Sequence, residues 1–272
     1  MELRYNRRVP SKRRPKLGQH FLSSAGYRRR IVEALDLRGD DLVMEIGPGR
    51  GAMTELLAKR VRQVVAVELD RALAEALQLQ FSGKNIEILG GDILKTNLAD
   101  LARRHGTEKC FVFGNLPYYI TSPIIHHLLD FAASIHGMAL LVQREVAERL
   151  TARPGTRAYG YLSVLAQCHS EPRVAFVVPA GAFSPPPKVQ SALVKFHMHA
   201  KFPARSREDR ARFLEFVKRC FAQKRKNLLN NLAATFGRAR VLAALDGFRL
   251  APSARAEELS VEQLAALWQA LV

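Results

Sequence analysis

From Leu42 onward, short apolar runs alternate with longer segments whose apolar residues recur every three or four positions. The runs are Leu42-Val43-Met44-Glu45-Ile46, Val64-Val65-Ala66-Val67, Ile86-Glu87-Ile88-Leu89, Cys110-Phe111-Val112-Phe113 and Met138 to Val142. Runs so continuous and so rich in β-branched residues suit strands covered on both faces. Between them, Ala52 to Arg60, Asp70 to Gln80, Asn97 to Arg104 and Thr121 to Ala132 carry a helical period. Strands joined through helices are parallel, because each helix carries the chain back before the next strand begins. The expected fold class is therefore α/β, a doubly wound parallel sheet with helices on both faces.

Past Tyr161 the pattern changes. Val174 to Val178 and Ala192 to His197 read as strands separated by Ser184-Pro185-Pro186-Pro187, and they can pair as an antiparallel hairpin on one sheet edge. After Pro203 only helical periodicity remains, through Arg207 to Phe221, Lys224 to Phe236, Ala239 to Leu245 and a last helix opened by Ser260. The division expected is a basic arm over 1–16, a sheet domain over 17–200 and a small all-helical C-terminal domain over 201–272. A chain of 272 residues, 48% of them hydrophobic, can fill one large core and a small second one.

Charge narrows the choice of partner. Lys and Arg number 42 against 25 Asp and Glu, a formal +17 that predicts a polyanion. Arg4, Arg7, Arg8, Lys12, Arg13, Arg14 and Lys16 crowd the first segment with only Glu2 against them. A second cluster runs from Lys201 and Arg205 through Arg207, Arg210, Arg212, Lys218 and Arg219 to Lys224, Arg225 and Lys226. Such clusters suit phosphate contacts, and the helical domain is expected to bind RNA. No signal peptide, long uncharged apolar run or basic amphipathic terminal helix points to a membrane. Cys110, Cys168 and Cys220 are odd in number and widely spaced, which predicts neither disulfides nor zinc and fits a reducing cytoplasm. His126-His127 and His197-x-His199 lack acidic or cysteine companions at metal spacing, so no metal is expected.

Glu45-Ile46-Gly47-Pro48-Gly49-Arg50-Gly51 follows the first of these runs and precedes a helix, so its glycines let backbone approach a nucleotide-like ligand. Glu68 ends the second run, where a carboxylate can accept both hydroxyl protons of a ribose. Gly47-x-Gly49-x-x-Ala52 also fits the looser dinucleotide fingerprint, which leaves a nicotinamide or flavin enzyme open. Asp92 follows the third run and can accept a proton from the adenine amine of S-adenosylmethionine, although such a residue taken alone is more often an ordinary helix cap.

After the fourth run comes Asn115-Leu116-Pro117-Tyr118, at the sheet edge where α/β enzymes bind ligands. Pro117 holds Leu116 extended and lacks an N–H, leaving acceptors to face the site. An aromatic amine is a poor nucleophile because its lone pair is delocalised. Accepting its protons at the Asn115 side-chain oxygen and the Leu116 carbonyl would localise that pair for in-line methyl transfer. Tyr118 would stack on the base, and Phe183, on its Pro-flanked loop, would supply a second stacking face.

Taken together, Lys16-Leu17-Gly18-Gln19-His20-Phe21-Leu22, the glycine loop, Glu68-Leu69-Asp70, Gly91-Asp92, Asn115-Leu116-Pro117-Tyr118, the Phe183 loop and Gln223-Lys224-Arg225-Lys226-Asn227-Leu228 with Asn230-Asn231-Leu232 resemble one family, the bacterial small-subunit rRNA adenine dimethyltransferases. The likeness runs from about Lys16 to the last helix. It implies a Rossmann-like S-adenosylmethionine-dependent methyltransferase sheet and N6,N6-dimethylation of two adjacent adenosines near the 3′ end of 16S rRNA in immature 30S subunits. The chain is expected to act as a monomer. It further implies that His20, Leu22, Gly47, Gly49, Glu68, Asp92 and Asn115 bind the cofactor. Where the family usually reads Gln-Asn-Phe-Leu this chain has His20, so an imidazole replaces an amide at the cofactor. Two relatives share the motifs: the 23S rRNA adenine methyltransferases of macrolide resistance, which usually read Asn-Ile-Pro-Tyr, and a non-catalytic RNA-binding branch.

Overall fold

In the computed structural model, which describes residues 20–199, 206–223 and 225–272, each of the five apolar runs lies in a parallel strand. In chain order, the first half comprises β1 (Phe21–Leu22), α1 (Ala25–Glu33), β2 (Leu42–Ile46), α2 (Thr54–Ala58), β3 (Gln63–Glu68), α3 (Arg71–Gln80), β4 (Ile86–Gly90), α4 (Leu98–Arg104), β5 (Cys110–Asn115) and α5 (Thr121–Asp130). There follow β6 (Ile135–Gln143), α6 (Arg144–Leu150), α7 (Tyr161–His169), β7 (Ser170–Val178), β8 (Phe183–Ser184) and β9 (Ser191–Met198). The chain ends with α8 (Arg207–Cys220), α9 (Leu228–Phe236), α10 (Arg238–Gly247) and α11 (Val261–Leu271).

The seven-stranded sheet has the order β4-β3-β2-β5-β6-β9-β7. Its first five strands are parallel, and β9 and β7 add antiparallel at one side as the expected edge hairpin. Pro172 is tolerated in β7 because that strand lies at the edge, where one row of backbone groups has no ladder to join. All of β2 is buried, Glu45 included, as a strand between two helical layers must be.

Local chemistry sets several helix starts. Asp70 accepts the Ala72 and Leu73 amides at 2.9 and 3.3 Å to open α3, and Asn227 accepts the Asn230 amide at 2.9 Å to open α9. Helix α9 thus begins four residues later than its periodicity suggests, and Lys224 lies outside the described residues. Ser260 and Gln263 cap α11 reciprocally. Helices α1, α6 and α7 and the two-residue strands β1 and β8 were not legible in the apolar pattern: α1 carries three consecutive arginines, and α7 is apolar nearly all round.

One buried cluster covers a face of the sheet and continues into the C-terminal helices, so Leu162 and Leu165 of α7 share it with Phe213, Val217, Leu264 and Leu267. The other face is closed by α1, α2 and the loop around Phe183. The boundary drawn at 201 and the basic arm over 1–16 both fall outside the described residues. Among the described residues, no helix is long and apolar enough to cross a membrane, and no group of three or more His, Cys, Asp or Glu is placed to hold a metal.

Candidate active site

The parallel register assembles the site. Ile46 lies opposite Val67 on one side and Gly114 on the other, and Glu68 lies opposite Gly90. The residues that end these strands therefore form a row along the carboxyl edge: Asp92, Glu68, Gly47, Asn115. Chain order reverses between β2 and β5, the switch point where the following loops diverge and leave a crevice. There a cleft of about 850 Å³, open to solvent, is lined by His20, Gly47, Gly49, Glu68, Asp92 and Asn115 and continues over Leu116, Pro117 and Tyr118.

On the β2–β3 side backbone geometry does most of the shaping. Gly47 and Gly49 have φ of 64° and 59°, and a Cβ on Gly49 would lie 2.7 Å from the Phe21 ring. The Gly49 amide donates to Glu68 Oε2 at 3.0 Å and the Asp70 amide to Oε1 at 2.9 Å. Each carboxylate oxygen keeps a second lone pair, enough for the two hydroxyls of a ribose. Asp92 Oδ1 caps the turn after β4 by accepting the Leu94 amide at 3.0 Å while the residue lines the cleft, so capping and ligand binding are compatible. Burial raises the pKa of Glu68. Glu45, directly before the glycine loop, is raised to about 7, first by burial and then by the neighbouring Glu68 charge, and its Oε2 has no partner among the described residues.

The other side is joined from distant segments. Asn115 Nδ2 donates to the His20 carbonyl at 3.1 Å, which leaves Oδ1 as an acceptor. The Pro117 carbonyl is engaged by the Thr121 hydroxyl at 2.9 Å and the Ile120 amide at 3.2 Å, whereas the Leu116 carbonyl accepts no bond among the described residues. Tyr118 shares a hydrogen bond with Ser191 Oγ at 2.8 Å, and its ring stacks on His20 with centroids 5.5 Å apart. Burial raises the Tyr118 phenol despite that bond, so the ring stays neutral at physiological pH.

Two expected residues lie elsewhere. Leu22 and Phe183 do not line the cleft; they face each other across the β1–β8 bridge and are 6% and 3% exposed, within the cluster that holds Val178 and Leu193. Phe183 anchors its loop, so the second stacking face expected of it is not offered here. An aromatic overlooked in the sequence does line the cleft: Tyr119, 61% exposed. Its adjacency to Tyr118 was the available signal. Ser191 carried none. The paired histidines are structural, His126 bonding the Tyr161 hydroxyl at 2.5 Å and His127 the Thr96 carbonyl at 2.9 Å.

Comparison with known proteins places the chain among its relatives. The ribosomal RNA small subunit methyltransferase A of Acidobacterium capsulatum is 47% identical over 265 residues, covering 97% of this chain and 93% of the relative. That of Latilactobacillus sakei is 43% identical over 259 residues, covering 92% and 87%. The crystal structure of the 23S rRNA methyltransferase ErmE superposes with a TM-score of 0.69 at 30% identity, over 92% of this chain and 99% of that one. A dimethyladenosine transferase from Plasmodium falciparum, at 22% identity and TM-score 0.71, covers 91% of this chain and 96% of that one and shares the fold. Residues 10–271 match the family described as ribosomal RNA adenine dimethylase, and with the strand-end row in place the chain belongs to that family.

Proposed function

We propose that the chain dimethylates the N6 amines of two adjacent adenosines near the 3′ end of 16S rRNA, acting as a monomer on immature 30S subunits. Family membership makes it an S-adenosyl-L-methionine-dependent rRNA adenine dimethyltransferase. When bound, the cofactor supplies an electrophilic methyl group on a sulfonium. The chain's own residues do the rest. Gly47 and Gly49 leave room for the ligand's backbone-facing part, Glu68 takes the ribose hydroxyls and Asp92 the adenine amine. Asn115 Oδ1 and the Leu116 carbonyl accept the two protons of the target amine, which draws its lone pair out of the ring and points it along the transfer axis. The cationic amine formed is acidic enough to release its proton to water, so no tuned general base is required. Tyr118 stacks on the target base, and Tyr119 offers the second aromatic face at the mouth.

The observation that carries this reading is the Asn115 amide. Its donor is already engaged by the His20 carbonyl, so the group meets a substrate NH₂ as an acceptor. The basic α8 and the exposed Arg225 and Lys226 that follow it supply phosphate contacts from the 201–272 helical domain.

A second reading, methylation of 23S rRNA, has the ErmE likeness in its favour. The small-subunit relatives are more similar in sequence, and Leu116 replaces that group's usual isoleucine. Methyl transfer to immature 30S particles, naked 16S rRNA and 23S rRNA separates the two. We expect dimethyladenosine on the 16S 3′ end; product only on 23S rRNA, or unchanged 16S modification in a deletion strain, overturns the proposal.

A further inference from the structure

We infer that Ser191 is a positioning residue for methyl transfer, its hydroxyl setting the direction in which the Tyr118 ring points beside the target base. The inference rests on the reading of Tyr118 as the stacking residue, and not on which rRNA is the substrate. Ser191 is 1% exposed and does not line the cleft. Its Oγ lies 2.8 Å from the Tyr118 hydroxyl, and either oxygen can donate. The buried stretch that it opens continues as Ala192, Leu193 and Val194, all apolar. A hydroxyl in such a place costs stability unless it is bonded, and the Tyr118 phenol supplies that bond.

Backbone pairing makes Ser191 a fixed point. It begins β9 with Gln143 of β6 opposite it on one side and Val178 of β7 on the other. The preceding Gln190 is held through its carbonyl by the Arg144 amide at 2.9 Å and through Oε1 by the Arg144 guanidinium at 3.0 Å. Because β9 runs antiparallel to β6, its first residue lies at the carboxyl edge of the core strands, beside the row that Asn115 completes. Tyr118 is then held at both ends. At its backbone end, the Leu116 amide donates to the Leu141 carbonyl at 3.1 Å, and the Pro117 carbonyl closes the turn with Ile120 and Thr121. At the far end, the phenol meets Ser191. The para hydroxyl lies on the long axis of the ring, so its bond restrains where that axis points. The contact with the His20 ring, at 5.5 Å and 29°, restrains rotation about the axis. With either hydroxyl removed, the ring is free to swing about its Cα–Cβ bond. A base stacked on a displaced ring moves with it, away from Asn115 Oδ1 and the Leu116 carbonyl.

The test is a double-mutant cycle of Ser191→Ala, Tyr118→Phe and the two combined, run on whichever rRNA the parent chain methylates. Single-turnover assays at saturating S-adenosylmethionine and rRNA read the transfer step, calorimetry reads cofactor affinity, and thermal unfolding shows which variants are folded. Each single variant should slow transfer about tenfold, the order of loss that follows from misplacing a reacting group. The double variant should be no more than about twofold slower than either, because one bond can be lost only once. Cofactor Kd should change less than about threefold, since Ser191 does not reach the cleft. Losses that multiply to about a hundredfold, an unchanged saturated rate in the single variants, or a defect confined to cofactor affinity overturns the inference. If Ser191→Ala does not fold, Tyr118→Phe breaks the same bond with β9 untouched, and an unaltered rate in that variant overturns the inference. Carbon NMR of tyrosine-labelled free protein reads the arrangement without substrate: the Tyr118 ring signals should shift in Ser191→Ala, and unshifted signals overturn the inference. Tyr118→Ala separates the two readings. It should slow transfer more than about tenfold, through lost stacking. No loss there defeats the stacking reading itself, whereas loss there with multiplying effects in the cycle defeats the role of Ser191 alone.

Discussion

The two halves of the cleft are made differently. The half at β2, β3 and β4 takes one residue from the end of each successive strand, and those residues meet because parallel register aligns the strand ends. The half around Asn115 draws His20, Tyr118 and Ser191 from positions up to 171 residues apart, and holds them by an amide bond, a ring stack and a hydroxyl pair. Backbone ladders preform the β2–β4 side; side-chain hydrogen bonds adjust the Asn115 side. Errors of a few tenths of an ångström therefore fall where methyl transfer is decided, and those side chains should be more sensitive to substitution in rate than in binding.

The largest effect that would sharpen this contrast is at Asn115. Asn115→Ala should lower transfer about 10³-fold, the loss seen when one preorganised hydrogen-bonding group is removed from a reacting centre, while rRNA binding in a filter assay stays near normal. Equal loss of RNA binding would break the division between chemistry and recognition. On the cofactor side, Glu45 should act through stability. Its pKa is 4.5 when ordinary and about 7 when folded, so folding takes up a proton between those values and stability falls as pH rises through that window. Unfolding followed by heat or denaturant should show the parent losing on the order of 3 kcal/mol more than Glu45→Gln between pH 4.5 and pH 7.5. Identical pH profiles would mean that Glu45 is solvated, and that the pocket is less closed than described.

Smaller effects follow. Glu68→Gln removes one charged acceptor and should weaken S-adenosylmethionine about thirtyfold by calorimetry with little change in saturated rate. A rate loss as large as the binding loss would blur the two halves into one. Tyr119→Ala should reduce kcat/KM for rRNA about tenfold through lost stacking, and Tyr119→Phe should restore it. If alanine has no effect, the mouth of the cleft takes no base.

Much of the fold was legible because buried parallel strands need unbroken apolar runs, and Val64 to Val67 or Cys110 to Phe113 can be little else. The strand-end row was legible for the same reason: once those strands are parallel, the residues that end them must be neighbours. Helix α1 was missed because its buried residues, Ile31 and Val32, are few among arginines. The burial of Phe183 was not legible because exposure cannot be inferred from a Pro-flanked loop; the two-residue β1–β8 bridge that buries it is too short to leave a pattern.

By itself, then, the sequence determined the α/β sheet, the Gly47, Glu68, Asp92 and Asn115 row, and the positive charge that calls for RNA, since periodicity, glycine geometry and net charge are properties of short segments or of sums. Tertiary structure alone decided that Tyr119 and not Phe183 lines the cleft, that Ser191 holds Tyr118, and that the His20 carbonyl accepts the Asn115 amide. Those outcomes depend on hydrogen bonds between segments far apart in the chain, whose partners no local pattern encodes.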